Sequence, residues 1–357
     1  MNSTSTPPVG VAIVGCGNIS GAYAKNLAGY SEVRLIGAFD PDERRAADFA
    51  DAHGCRTYAS LEDLLADESV LLMTNLTPPS LHVEVTEACL RSSRHVYSEK
   101  PLALSFDDAV GLVRLAQKMN VRLGCSPSVW LAPAQQAAWR EVASGRLGEV
   151  RLVYAEVNQG RVESWHPAPQ NFYDVGPLFD AGVYPIAYLT AVFGPVRRVT
   201  AYASLLKGDR VTTEGVHFAP GSEDLVIAIL ETAEGVTVRL TCNFYVSNDM
   251  SQRGIEFHGD KGSLQLDSWF EPNAGVRVAA FGEGYQDVPL GAEPAPEVEW
   301  ARGVQDMARA ISEERAHLAS GEHAAHVVEI LNGILQAARE QRPVRVVSDF
   351  PKPQPRG

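Results

Sequence analysis

Residues 9–125 alternate short apolar runs with stretches of helical character, and this rhythm constrains the fold more than any other feature of the chain. The runs are rich in valine, isoleucine and leucine and show little alternation, which is typical of parallel strands covered on both faces. Repeated strand–helix–strand units imply right-handed crossovers and a doubly wound sheet. The predicted strands are residues 11–14, 33–39, 70–74, 95–97 and 121–125.

Helix start and stop signals fall between these runs, where the crossover helices are expected. The signals are Pro41 at a first helical position after Asp40, capping boxes at Ser60 with Asp63 and at Ser105 with Asp108, and a C-terminal stop at Gly54.

The pattern changes after about residue 127, where strands with turn signals replace the regular alternation. Residues 236–244 alternate polar and apolar, and a turn at 233–235 joins them to an apolar stretch at 225–230, which predicts a hairpin. Because 225–230 is apolar at every residue, we expect both faces of that strand to be covered, one by helices and the other by a second subunit. Helices are predicted near 133–144, 177–193, 302–313 and 322–340, and a final strand at 344–347.

The chain is therefore predicted to hold two α/β domains. Residues 9–127 form the doubly wound parallel sheet, residues 128–348 form a second α/β domain, and residues 1–8 and 349–357 are tails.

Composition narrows the range of partners. The formal net charge is −13 and no run of Lys or Arg stands out, which argues against a nucleic-acid partner. The five cysteines are odd in number, widely spaced and without a CxxC pair, which favours a reducing compartment, and we expect a cytoplasmic protein. The apolar run at 9–14 is too short for a signal core or a membrane span, so no membrane partner is expected.

A glycine-rich loop follows the first predicted strand and opens a helix. Gly15 permits a tight turn and Gly17 lets the backbone approach a pyrophosphate, while Ser20 stands where the dinucleotide fingerprint has its third small residue. Asp40, at the end of the second strand, can accept hydrogen bonds from ribose hydroxyls and repels a 2′-phosphate. This favours NAD over NADP, although the alternative of a tight turn that binds nothing stays open.

Two further segments carry candidate catalytic groups. Lys100 follows the fifth strand, and ligands of open α/β sheets bind outside the carboxyl ends of strands. Asp180 and Tyr184 are four residues apart, so they share one face of a helix that starts at Pro177. Taken singly, Lys100 is equally a surface lysine, and Asp180 and Tyr184 are equally a polar helix residue and a core aromatic.

Together these segments resemble the glucose-fructose oxidoreductase/inositol dehydrogenase/MocA family, and the likeness runs from residue 9 to about 348. The residues that carry it are Gly15-Cys-Gly17-Asn-Ile, Asp40, Thr77-Pro78-Pro-Ser-Leu-His82, Glu99-Lys100-Pro101 and Asp180-Ala-Gly-Val-Tyr184.

The resemblance implies an NAD-binding Rossmann domain followed by an α/β domain with a large, mostly antiparallel open sheet, through which members associate as homodimers or homotetramers. It assigns Lys100 to the substrate hydroxyl, Asp180 to substrate orientation and Tyr184 to proton transfer, because many members have His at that position and others Tyr. A nearby ammonium such as Lys100 would lower the pKa of Tyr184 from its ordinary value near ~10. The residues expected at the cofactor are Gly15, Gly17, Asn18, Ile19, Asp40, Thr77, Pro78, His82, Glu99 and Lys100.

Aromatic residues in the segment 163–173 are candidates for substrate binding. Trp165, His166 and Tyr173 offer ring faces and hydrogen-bonding groups suited to a pyranose or cyclitol, or they pack the loop. The pair His323 and His326 lacks a third metal ligand, so we expect a solvated helix face and no metal site.

The sequence therefore predicts an NAD-dependent oxidoreductase that transfers hydride to or from a secondary alcohol or ketone carbon of a sugar, polyol or cyclitol. Two alternatives remain at this stage, an NAD-using glycosidase of the same family and a non-catalytic sensor that binds NAD.

Overall fold

The computed structural model describes residues 7–247, 250–291 and 295–355. The chain forms two compact units. The first holds the residues up to Leu131 together with Glu297–Val328, and the second holds Ala132–Pro296 together with the residues from Glu329 onward. The predicted tails fall partly outside the described residues.

The first unit contains the predicted doubly wound sheet. Its strands are β1 Val9–Val14, β2 Val33–Phe39, β3 Arg56–Thr57, β4 Leu72–Asn75, β5 His95–Ser98 and β6 Leu123–Cys125. All pairings are parallel, in the order β3-β2-β1-β4-β5-β6, which is the strand order of a Rossmann sheet. The fold class predicted for this half is confirmed, while β3, a two-residue edge strand with both residues exposed, was missed because it buries no apolar side chain.

The crossover helices begin and end largely where the sequence places them. They are α1 Ser20–Ala28, α2 Glu43–His53, α3 Leu61–Ala66, α4 His82–Arg91 and α5 Phe106–Met119. Ser60 and Ser105 cap α3 and α5 as predicted, and Gly54 ends α2 in the left-handed region at φ 66°. The start predicted at Pro41 is wrong, because the side chain of Asp42 accepts the backbone N–H groups of the first turn and α2 begins after it.

The last part of the first unit comes from the C-terminal third of the chain. Helix α9 is Arg302–Ser312 and helix α10 is Gly321–Glu340, whose residues up to Val328 count with this unit. The N–H of Gly303 donates to Ser128 Oγ at 3.1 Å, and Gly124 in β6 forms an isolated bridge with Ser320. The predicted continuous second domain at 128–348 is therefore interrupted, since this segment completes the core beside β5 and β6.

The second unit is built on a nine-stranded sheet and a separate two-stranded one. The strands are β7 Val150–Asn158, β8 Val196–Ser204, β9 Arg210–Val211, β10 His217–Phe218, β11 Leu225–Thr232, β12 Thr237–Asn243, β13 Gly254–Gly259, β14 Gly262–Leu266, β15 Val276–Ala280, β16 Gln286–Asp287 and β17 Val344–Arg345. The large sheet has the order β16-β15-β14-β13-β7-β12-β11-β8-β17, and β9 pairs with β10. Among the described strands of the large sheet, only β7 and β12 pair in parallel, so the mostly antiparallel open sheet implied by the family resemblance is confirmed.

The predicted hairpin is confirmed as β11 and β12, but β11 is covered on one face only. Val226, Ala228 and Leu230 are buried, whereas Ile227 is 39% exposed on the opposite face. Its neighbour across the sheet, Tyr202 in β8, is 59% exposed. The second face of this apolar strand is therefore open in the single chain.

One face of the large sheet packs against helices α6 Pro133–Ala143, α7 Gln170–Pro177 and α8 Val183–Phe193. Gly176 breaks the helical path at φ 79°, and Pro177 opens the next helical segment as predicted. The run Gln170–Phe193 is long enough to span a membrane, and an 18-residue stretch of it has a mean hydropathy of 1.2. However, 83% of that stretch is buried inside the protein. We assign it to the core.

His323 and His326 in α10 do not lie on a solvated helix face, so that expectation is wrong. Their side chains are 3% and 0% exposed, and the His323 ring meets Trp130 edge-on with centroids 6.1 Å apart. The sequence signal was misleading because both faces of this part of α10 are covered. Within the described ranges, no three His, Cys, Asp or Glu side chains are arranged to hold a metal ion.

Candidate active site

The glycine loop after β1 has the geometry of a phosphate-binding turn. Gly15 adopts φ +95°, and a Cβ there would lie 2.8 Å from backbone atoms of Leu76 and Thr77, so the position requires glycine. A Cβ at Gly17 would meet nothing within 4 Å, which leaves open surface for the close approach of a ligand. Ser20 fills the third position, buried, with its hydroxyl donating to Gly17 O at 2.7 Å.

The start of α1 is arranged to receive an anion. Ile19 precedes the helix and makes no capping hydrogen bond, the first turn holds no acidic residue, and Asn18 is exposed beside it. The helix therefore carries no carboxylate in its own first turn, which favours a pyrophosphate at its N-terminus. The residues present fit a nicotinamide dinucleotide.

Asp40 is buried at the end of β2 and joins two segments of this site. One carboxylate oxygen accepts the N–H of Cys16 at 2.9 Å, and the other accepts the N–H of Asp42 at 2.9 Å and lies 3.6 Å from Arg45 Nη1. A carboxylate offers about four acceptor positions, so lone pairs remain for ribose hydroxyls. A cavity of about 500 Å³ adjoins the loop, and Gly17, Asp42 and Arg45 are among its lining residues.

The loop after β4 carries Thr77 and Pro78 at its rim, where Thr77 is half-buried and Pro78 is exposed. Its shape is held by Asn75, whose side-chain oxygen accepts both the N–H and the hydroxyl of Thr77. His82 is 1% exposed, with its two ring nitrogens 2.8 Å from Thr77 O and 2.6 Å from Pro101 O. His82 therefore braces the loops after β4 and β5, and its ring does not form part of the open surface.

Glu99 and Lys100 follow β5 and are both partly exposed. The Glu99 carboxylate is engaged within the unit, because one oxygen accepts the hydroxyl of Tyr23 at 2.5 Å and the other accepts the N–H of Lys100 at 3.0 Å. Lys100 thus leaves the sheet at the carboxyl end of its strands, the same edge that holds the glycine loop and Asp40.

The second unit carries Asp180 and Tyr184 at the start of the helix after Gly176. Asp180 lies in a π-helical turn, Leu178–Gly182, and Tyr184 is the second residue of α8. Such turns are rare, occur mostly as single-turn bulges inside α-helices, and are frequent at functional sites. The ring of Tyr184, 7% exposed, lies 5.4 Å from that of Trp269 and 5.6 Å from that of Phe270, measured between centroids.

A cavity of about 560 Å³, which sequence analysis did not predict, lies beside the rings of Trp269 and Phe270. Its lining includes Trp269, Phe270, Glu156, Asn158 and Asp267. These residues come from β7 and from the loop after β14, which no motif links to Asp180 or Tyr184. Only the pair Trp269-Phe270, just past an alternating strand, could have indicated a functional loop.

The aromatic segment 163–173 divides into two parts. Trp165 is 52% exposed, and its ring packs edge-on to those of His166 and Phe172, with centroids 5.5 and 5.8 Å away. Tyr173 is 1% exposed, and its hydroxyl is bonded to Glu163 and Arg210. Tyr173 therefore belongs to the core, where burial first and then the Glu163 carboxylate raise its pKa.

The structure thus gathers Gly15, Gly17, Asn18, Ile19, Asp40, Thr77, Pro78, Glu99 and Lys100 at one sheet edge of the first unit. Asp180 and Tyr184 lie in the second unit, as do Trp165 and His166.

Comparison with known proteins identifies the family of the chain. Residues 9–126 match the sequence model of an oxidoreductase family with an NAD-binding Rossmann fold, and residues 135–265 match the GFO/IDH/MocA C-terminal domain. The chain belongs to the GFO/IDH/MocA oxidoreductase family and is an NAD(P)-binding oxidoreductase.

Two similar proteins are named as dehydrogenases. The chain is 27% identical to trans-1,2-dihydrobenzene-1,2-diol dehydrogenase of Bos taurus over 303 residues, which cover 82% of this chain and 83% of that one. It is 25% identical to inositol 2-dehydrogenase of Rhizobium meliloti (strain 1021) over 282 residues, covering 78% and 80%.

Solved structures show the same fold. A levoglucosan dehydrogenase in complex with NADH and L-sorbose superposes with a TM-score of 0.82 at 18% identity, covering 95% of this chain and 99% of that chain. An NAD-binding oxidoreductase from Klebsiella pneumoniae gives a TM-score of 0.83 at 20% identity, covering 96% and 100%.

Proposed function

We propose that this protein is an NAD-dependent dehydrogenase or reductase acting on a secondary alcohol or ketone carbon of a sugar, polyol or cyclitol. The observation that carries the proposal is the environment of Tyr184, whose ring packs against Trp269 and Phe270. These two rings line a cavity whose lining also includes Glu156, Asn158 and Asp267. Aromatic faces next to carboxylate and amide groups suit a polyhydroxylated ligand, which offers C–H faces and many hydroxyls. Two relatives named for diol and inositol oxidation support the same class of substrate.

NAD, when bound, supplies the acceptor for the hydride that leaves the carbinol carbon. The chain's own contribution is to hold the alcohol and to move its proton. Lys100 would hold the hydroxyl through its ammonium, Asp180 would orient the substrate through a neighbouring hydroxyl, and Tyr184 would take the hydroxyl proton. An ordinary phenol, with a pKa near ~10, is a poor base at neutral pH, so proton transfer by Tyr184 requires an environment that lowers the pKa of its hydroxyl.

We also propose NAD as the preferred cofactor. Asp40 supports this, since a buried carboxylate at the end of β2 suits ribose hydroxyls and repels a 2′-phosphate. Arg45, at 3.6 Å from Asp40, neutralises part of that charge, which limits the preference without reversing it.

A homodimer or homotetramer formed through the large sheet is part of the same proposal. The open face of that sheet exposes Tyr202 and Ile227, which are adjacent across β8 and β11. We place the protein in the cytoplasm, because its five cysteines are free thiols and four of them are buried.

The experiment is a panel of sugars, polyols, cyclitols and trans-diols incubated with NAD or NADP and followed by the absorbance of the reduced cofactor. The proposal expects one substrate group to reduce NAD with net accumulation of NADH. Consumption of a glycoside without net NADH would favour the glycosidase reaction, and tight NAD binding with no turnover on any compound would favour a sensor.

A further inference from the structure

The main chain of Lys100 is held from both sides inside the first unit. Its N–H donates to Glu99 Oε2 at 3.0 Å, and the carbonyl of the next residue, Pro101, lies 2.6 Å from the ring Nδ1 of His82. The backbone from which the lysine side chain extends is therefore fixed by two partners. The more informative of the two is Glu99, because its second oxygen leads back to the nucleotide-binding helix.

That second oxygen accepts a hydrogen bond from the hydroxyl of Tyr23, at 2.5 Å. Tyr23 lies in α1, one turn beyond the glycine loop, and its side chain is fully buried. The same hydroxyl lies 2.9 Å from Ser126 Oγ, just past β6. Burial first and then the Glu99 carboxylate raise the pKa of Tyr23 well above its ordinary value, so the phenol keeps its proton and stays a donor.

We propose that Tyr23 is a positioning residue that couples the dinucleotide-binding helix to Lys100 through Glu99. A carboxylate with both oxygens engaged cannot rotate, and each bond to it is of the stronger, charge-assisted kind. Removing the hydroxyl of Tyr23 leaves one Glu99 oxygen without its donor and lets the carboxylate turn away from the Lys100 N–H. The inference rests on the proposed function in one respect, namely that Lys100 serves the reaction.

Tyr23 is expected to control the position of Lys100 and not the affinity for NAD. Its hydroxyl is buried and engaged, so NAD binding should change little when it is lost. A misplacement of about 1 Å in a catalytic group costs up to about 100-fold in rate. The expected signature is thus a fall in kcat with the Kd for NAD unchanged.

The test compares Tyr23→Phe with the matched control Tyr188→Phe. Tyr188 is also a fully buried tyrosine, and its hydroxyl donates to the backbone oxygen of Gln135 at 2.9 Å in the second unit, so both variants lose one buried hydroxyl bond. The first readout needs no substrate: the rate at which an amine-specific reagent labels Lys100 in the protein without cofactor, measured by mass spectrometry, with exposed Lys118 as the internal reference.

The proposal expects faster or more pH-sensitive labelling of Lys100 in Tyr23→Phe than in the wild type, with Lys118 unchanged, and no such change in Tyr188→Phe. It also expects kcat to fall by about 10-fold or more in Tyr23→Phe alone. Where Tyr23→Phe fails to fold, Glu99→Gln tests the same bonds from the carboxylate side and should give the same labelling change.

Equal labelling of Lys100 in the wild type and the variants, with an equal loss of thermal stability in both tyrosine variants, would overturn the proposal and leave Tyr23 a structural residue. The labelling result stands even if no sugar or polyol is oxidised. Failure of the proposed function and failure of this inference are therefore distinguishable.

Discussion

Asp40 accepts a hydrogen bond from the backbone N–H of Cys16 at 2.9 Å, so the carboxylate that would read the ribose also fixes the glycine loop. This double role predicts the effect of its removal. We expect the wild type to bind NAD at least about 10-fold more tightly than NADP, equivalent to about 1.4 kcal/mol. Asp40→Ser should reduce the difference in affinity between NAD and NADP. It should also weaken NAD binding, because the glycine loop loses the hydrogen bond between the Cys16 N–H and the Asp40 carboxylate.

Calorimetric titration with each dinucleotide measures both effects. Arg45→Ala is the matched control, since it removes the cation beside Asp40 while keeping both backbone hydrogen bonds. This variant should widen the preference for NAD. Equal affinity for the two dinucleotides in the wild type would remove Asp40 from its proposed role.

Trp269 should affect substrate binding more than the stability of the fold. Its ring contacts Tyr184 and lines the 560 Å³ cavity, and an aromatic pair contributes about 1 kcal/mol beyond its buried area. Trp269→Leu should raise KM for the substrate by about 5- to 10-fold, with the Kd for NAD unchanged. Phe281→Leu, at an aromatic residue that is 87% exposed, should change neither constant. Steady-state kinetics with unchanged KM in Trp269→Leu would place the substrate elsewhere.

Arg210 stabilises the aromatic segment 163–173 through buried hydrogen bonds and ion pairs. It is fully buried between Glu163 and Asp224 and also donates to the hydroxyl of Tyr173. Burial acts to raise the pKa of Glu163, but hydrogen bonds from Tyr173 and Arg210 outweigh it and hold the pKa below its ordinary value. Arg210→Met leaves two carboxylates without their cation, so we expect a loss of about 3–5 kcal/mol in the free energy of unfolding.

The comparison for Arg210 is Arg151→Met, which removes exposed ion pairs to Glu149 and Asp260 and should lower the free energy of unfolding far less, because solvent screens exposed pairs. Urea denaturation of both variants decides the point. Losses of similar size would show that the buried cluster contributes no more than a surface pair.

His95 predicts a dependence of stability on pH. Burial first, and then the nearby charge of Arg122, lowers its pKa to about 4, and its Nδ1 accepts the N–H of Arg122 at 2.9 Å. The unfolded chain binds a proton at His95 near pH 6.5, whereas the folded chain does not until about pH 4. This contribution is fully present above pH 6.5 and is lost as the pH falls from about 6.5 to 4.

His95→Asn keeps an acceptor for the Arg122 N–H but does not titrate, so its stability should fall less than that of the wild type over this range. Urea midpoints at pH 7 and pH 5 give the measurement. His317, whose pKa burial also lowers, leaves part of the slope in both proteins. Identical slopes would contradict the assignment to His95.

The parallel sheet, its crossover helices and the glycine loop followed from sequence because each depends on local signals. Apolar runs, capping serines and glycines at positive φ act within a few residues of one another. The return of residues 297–328 to the first unit could not be predicted, since nothing in α9 or α10 marks which core its apolar face covers. The same ambiguity made His323 and His326 look solvated.

The candidate site rests on motifs in part, and the roles assigned to its residues stay predictions. Lys100, Asp180 and Tyr184 stand in recognisable patterns, whereas Trp269 and Phe270 approach Tyr184 only through sheet topology. His82 and Tyr173 were expected on open surfaces, because a sequence shows that a side chain can hydrogen-bond but not where its partners lie. Their partners prove to be backbone carbonyls for His82, and Glu163 and Arg210 for Tyr173.

The central claim is that Tyr184 transfers the substrate proton in a reaction that yields net reduced cofactor. The most direct measurement is the molar yield of NADH per substrate consumed, with kcat, for the wild type, Tyr184→Phe and Tyr188→Phe, using the best substrate of the panel. The account predicts one NADH per molecule oxidised, a kcat lower by about 100- to 10,000-fold in Tyr184→Phe, and near-normal kcat in Tyr188→Phe. Near-normal turnover in Tyr184→Phe, or substrate loss without net NADH, would contradict it.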